Sequence, residues 1–235
     1  MKEMIGRAML LSRAELALCC AAAEVGALPC YHLGTGAPMS EKNLLETLFG
    51  LTRRSALTER EDGAFQPEPE LAEVLRVLRG CRRVLAVYLP PFSADTPRAL
   101  IYAAAGEERM ACLRPEEDRV ALYAGGAEDL LFWLEEAGVP PEKDPPFSPE
   151  NEWEPETEAL RAYLDAGLTS FEAPEDIALR LLGLRADDGA AVARLDLLHR
   201  PLYDRLLLWT PEGVEQRTCS AASLREAMET MLWEE

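Results

Sequence analysis

Between Arg83 and Tyr123, four short runs rich in β-formers follow one another with little chain between them. They are Arg83 to Leu89, Arg98 to Ala104, Arg109 to Leu113 and Arg119 to Tyr123. Pro90-Pro91 and Asp95-Thr96-Pro97, Gly106-Glu107-Glu108, and Pro115-Glu116-Glu117-Asp118 separate them. Parallel neighbours need a crossover of a dozen or more residues, most often a helix. These gaps hold turn residues instead, so the runs are expected to pair as an antiparallel meander. Helical patterns flank the meander on both sides. The expected fold class is therefore α+β, an antiparallel sheet with helices.

The helices announce themselves by caps and periodicity. Ser12-Arg13-Ala14-Glu15 is a capping box, followed by Leu16, Cys19, Cys20 and Ala23 on one stripe and Gly26 as a stop. Ser40 caps a second helix, Glu41 to about Gly50, with Leu44, Leu45 and Leu48 expected inward. Thr52 to Leu57 starts a short strand, Glu61-Asp62-Gly63 turns, and Phe65 returns. Pro69 opens a third helix to Arg79 with Leu71, Val74, Leu75 and Leu78 as its stripe. Beyond the meander, Ala127 to Ala137 carries Leu130, Leu131 and Leu134 at helical spacing. Glu156 to Gly167 and Pro174 to Leu184 also read as helices. Ala191 to Leu198, Arg205 to Thr210 and Val214 to Thr218 read as strands, the last two joined by Pro211-Glu212-Gly213. A last helix, about Ala221 to Trp233, contains the capping box Ser223-Leu224-Arg225-Glu226.

Six prolines between residues 139 and 157 mark an extended acidic linker. The expected organisation is a helical and hairpin half over 1–138, the linker over 139–157, and a C-terminal half over 158–235, with one integrated domain as the alternative. The halves share a grammar. RVLAVYL, RALIYAAAGEERMACL and AEDLLFWLEE parallel VARLDLL, DRLLLWTPEGVEQRTC and SLREAMETML. A pseudo-twofold internal repeat of helices, strands and a closing helix would account for this.

The net charge is −18, and it is uneven: residues 1–106 are neutral, 107–176 carry −15, and 177–235 carry −3. That excess of acid disfavours nucleic acid and an anionic membrane as partners. It leaves two readings of the central stretch, a solvated face or a side that a basic partner approaches. No apolar run reaches the roughly 18 residues of a membrane span. Leu16-Ala17-Leu18-Cys19 outlines a lipoprotein cleavage box, but Arg13 and Glu15 interrupt the apolar run, and a signal peptide is not expected. The expected compartment is the cytoplasm, and Cys19, Cys20, Cys30, Cys81, Cys112 and Cys219 are expected as reduced, mostly core thiols.

Little in the chain points to catalysis. There is no CxxC pair, only His32 and His199, and no DxDxDG loop, so neither a metal nor a cofactor is expected. Cys30, His32 and Ser40 lie close in sequence, but such pairs are normally assembled from distant segments. Gly34-Thr35-Gly36 lacks the Lys and the third Gly of a phosphate loop. The carboxylate pairs Glu107/Glu108, Glu116/Glu117/Asp118, Glu135/Glu136 and Asp187/Asp188 sit in turns or at helix ends, not across a cleft. No catalytic residue is assigned, and the chain is read as a non-enzyme. An alternative is a winged-helix transcriptional regulator with a C-terminal sensing domain. It would use Arg53, Arg54, Arg76, Arg79, Arg82 and Arg83 on phosphates, although acidic residues interleave with them.

The stretch from Leu44 to about Glu136 resembles the EspG-type proteins associated with type VII (ESX) secretion. The matching features are Gly50-Leu51 after a short helix, Pro69 with Leu71 opening a helix, and Cys81 to Leu89 as the strand that follows. The next strands and the helix Ala127 to Ala137 are also similar. The resemblance implies a pseudo-twofold α+β fold on a central sheet. It further implies a cytosolic, chaperone-like adaptor that binds a helical, exported protein. On that reading Phe92 and Tyr102 are apolar candidates for docking the partner helix.

Overall fold

The structure is a computed structural model, and it describes residues 9–25, 28, 40–90, 92, 99, 101–106, 109–136, 158–165, 167, 176–199 and 204–233. The fold is α+β, as expected, with six helices among the described residues and extensive antiparallel pairing. The chain divides into two compact units, each built from two stretches: Met1–Arg82 with Tyr102–Gly126, and Arg83–Ile101 with Ala127–Glu235. The Pro-rich stretch 139–157 lies outside the described residues.

In the first unit, β1 (Met9–Ser12) leads into α1 (Arg13–Ala22), then α2 (Glu41–Arg53). The hairpin of β2 (Leu57–Glu59) and β3 (Phe65–Pro67) precedes α3 (Pro69–Gly80). The unit also takes in nearly all of β5 (Ile101–Ala105), β6 (Met110–Pro115) and β7 (Arg119–Gly125). Strand order is β1-β7-β6-β5, antiparallel throughout. The expected capping box forms: Glu15 N–H donates to Ser12 Oγ at 3.2 Å, and Ser12 N–H donates to Glu15 Oε2 at 2.8 Å. At α3 the cap is Glu68, whose carboxylate accepts from Leu71 N–H at 3.3 Å, and Pro69 needs no donor there. The α3 stripe Leu71, Val74, Leu75 and Leu78 is buried, as read from its spacing, and α3 packs on β6 and β7. Gly106 sits under this helix. A Cβ there would lie 2.8 Å from the Arg109 carbonyl oxygen and 3.2 Å from Val77 Cγ1.

In the second unit, β4 (Arg83–Tyr88) is followed by α4 (Ala127–Glu136) and α5 (Glu158–Asp165). Then come β8 (Ile177–Arg185), β9 (Ala191–Leu198), β10 (Arg205–Thr210), β11 (Gly213–Thr218) and α6 (Ala221–Trp233). The order is β4-β8-β9-β10-β11, again antiparallel. α6 packs on β4 and α4, where Gly183 lets the Met231 methyl approach to 3.5 Å of its would-be Cβ.

Several expectations need correcting. Pro174 to Leu184 is not a helix: residues 177–185 form β8. Ile177, Leu181 and Leu184 fit a helical stripe, but β8 lies between β4 and β9 with most residues buried on both faces, so no alternation shows. β1 leaves no signal in the sequence, because four residues pairing with β7 are too short for a period to register. α2 runs to Arg53, past the expected strand start at Thr52. The cap of α6 is Ser220, one turn before the expected box, with Ser223 N–H donating to Ser220 Oγ at 3.0 Å and Ser220 N–H to Ser223 Oγ at 2.8 Å. The element order does recur. α3, four strands and α4 are matched by α5, four strands and α6. In this order β4 corresponds to β8, one strand earlier than the VARLDLL run of β9 that resembles it in sequence.

Candidate functional site

α2 carries the clearest surface feature. Its N-terminus is set by Ser40, whose hydroxyl accepts from Asn43 N–H at 3.3 Å. The helix packs on α1 and β2, yet Leu51 is its one buried residue. Leu44 and Leu45, expected inward, are exposed, and Leu48 is half-buried. Phe49, which had no assigned role, is 70% exposed, and Leu45 is 57% exposed. The reason is geometric. Leu44, Leu45, Leu48, Phe49 and Leu51 spread over more of the helix circumference than the stripe of about 100° that one packing contact covers. Leu51 faces the unit, and Leu45 and Phe49 are left toward solvent. A count of apolar residues against that arc shows from sequence that some must stay outside, but not which.

The most charged interior lies in the second unit. Register sets Arg180 opposite Asp196, and Arg194 opposite Trp209, on one face of β8, β9 and β10. The Arg180 guanidinium donates to Asp196 from Nε at 2.8 Å and from Nη2 at 3.3 Å. Its Nη2 also donates to the Tyr163 hydroxyl at 2.6 Å, and that hydroxyl in turn donates to Asp196 Oδ2. Arg194 pairs with Asp196 at 3.2 Å and lies 3.7 Å over the Trp209 ring. Tyr163 comes from α5 and meets Trp209 edge-on. Burial, reinforced by Asp196, pushes the Tyr163 hydroxyl far above its usual range. Burial also holds Arg194 below its ordinary value, against the pull of Asp196. Arg180, Arg194 and Asp196 are all but inaccessible, so the cluster is an internal ionic knot and offers no face to a ligand.

The other sequence candidates scatter. Phe92 packs half-buried against this knot, with Arg180 5.0 Å over its ring, and Tyr102 is half-buried on β5, so neither is the open docking residue expected. His199 is oriented by the nearly buried Asp204, Nδ1 to Oδ1 2.9 Å, but among the described residues no Ser, Thr or Cys side chain hydrogen-bonds it. Cys30, His32, Gly34-Thr35-Gly36 and Glu107/Glu108 lie outside the described residues, as do the side chains of Glu135 and Glu136. Glu116 accepts from Arg114, and Asp187 and Asp188 pair with Arg185, whose hydrogen bonds hold Asp188 down at about 2. Of the candidate phosphate contacts, Arg54 pairs with Glu15 at 2.7 Å and Arg79 with Glu24 at 3.5 Å. Among the described residues, no group of three or more His, Cys, Asp or Glu is placed to hold a metal ion. No described helix is long and apolar enough to cross a membrane.

No protein-family model matches the chain, and no curated protein matches it.

Proposed function

We propose that this chain is a protein-binding adaptor that receives an α-helical partner on the exposed stripe of α2. The observation that carries the reading is the exposure of Leu45 and Phe49, one turn apart on a helix already anchored from its other side by Leu51. Burying two such side chains contributes about 1.5–3 kcal/mol each, enough to anchor a small interface. An apolar helix face laid against another amphipathic helix is a recurring recognition mode. The resemblance to EspG-type adaptors points the same way and suggests an exported helical protein as the partner. The setting we infer is the cytoplasm, in keeping with buried thiols at Cys19, Cys20, Cys112 and Cys219.

The test compares the full chain with L45E/F49E. Affinity capture from the native cell, followed by titration with the purified captured protein, should show a helical partner that binds the wild type and at least tenfold more weakly the double variant. Both positions are exposed, so circular dichroism of the variant should match the wild type. Equal binding by a well-folded variant, or no partner at all, would refute the proposal.

A further inference from the structure

The charges flanking the α2 stripe carry a second reading, which rests on the first. Glu41, Leu45, Phe49 and Arg53 recur every four residues, so they form one ridge along the helix. All four are exposed, and among the described residues neither Glu41 nor Arg53 has an ion-pair partner. Lys42, beside them, is 3.8 Å from Glu46 of its own helix. The ridge thus reads acid, apolar, apolar, base, with equal spacing on either side of a midpoint between Leu45 and Phe49. Such a pattern is complementary to itself when reversed.

We propose that two copies of the chain pair their α2 helices antiparallel about a twofold axis passing between Leu45 and Phe49, closing the docking stripe until a partner helix displaces the second copy. In that arrangement Leu45 meets Phe49 of the second copy, and Glu41 meets Arg53 of the second copy, each contact made twice. A twofold contact requires one patch that complements itself, and this ridge is such a patch. Antiparallel packing also brings the positive N-terminal end of each α2 beside the negative C-terminal end of the other. One helix per copy buries less than a standard interface, so the pairing is weak and reversible, as a displaceable cover must be.

Sedimentation of the full wild-type chain from about 10 μM to about 1 mM should show a monomer–dimer equilibrium in that range. Glu41→Arg sets Arg against Arg53 of the second copy, and Arg53→Glu sets Glu against Glu41. Each variant alone should dimerise about tenfold more weakly or worse. Mixed in equal amounts, the two are complementary at both ends, and the dimer should return as a heterodimer. Recovery on mixing also shows that each variant still folds. A wild type that stays monomeric, single variants that dimerise unchanged, or a mixture that fails to recover would each overturn the pairing. Any of those results leaves the L45E/F49E partner test standing. Conversely, a charge-dependent dimer without any helical partner would remove the adaptor reading and retain the self-association.

Discussion

Cys19 and Cys20 lie buried in α1, and burial pushes the Cys19 thiol up to about 12 and the Cys20 thiol up to about 11. The neighbouring Cys20 and Glu15 raise Cys19 further, and Arg54 opposes them. In an unfolded chain both thiols ionise near 9.0. The fold favours the protonated form, so this contribution is complete below about pH 9 and is lost as pH climbs toward the folded values. The melting temperature should therefore fall between about pH 9 and 11, and fall less steeply in C19A/C20A, even though the variant starts lower. An identical slope in the variant would clear the thiols of responsibility. The sequence marks these cysteines as core residues through their stripe with Leu16. It does not show Arg54, 34 positions from Cys20, closing over Glu15 at 2.7 Å.

β8, β9 and α5 illustrate where element-level reading fails and why it matters. A strand covered on both faces loses the polar alternation by which strands are recognised, so β8 mimics a helix. Once it is a strand, Arg180 faces Asp196, and Arg194 and Tyr163 complete the knot. Nothing in the spacing of these residues announces it, because the partners come from three elements. Removing the carboxylate alone takes the anion of the knot from two buried guanidinium groups. Asp196→Ala should cost about 3–5 kcal/mol, read as a lowered urea midpoint at unchanged slope. A loss under about 1 kcal/mol would show that the arginines are satisfied without it.

The whole molecule carries −18 charges, and self-repulsion opposes compaction. Surface pairs such as Arg109–Glu73 at 2.9 Å act the other way, but each contributes at most about 1 kcal/mol and salt weakens it. Screening should relieve the repulsion more than it costs the pairs. Raising NaCl from about 10 to 150 mM should lift the melting temperature by about 2–5 °C; a falling one would mean the pairs dominate. The chain on its own settles the α+β class, the antiparallel pairing, and the described helices with the caps of α1 and α2. These follow from short-range rules: turn residues in short gaps, a serine three residues before a glutamate, leucines at helical spacing. The tertiary structure alone decides which apolar residues of a helix find a neighbour. α2 has more of them than its contacts with α1 and β2 can cover, so Leu45 and Phe49 remain outside, and which side of a helix is left over depends on what packs against it.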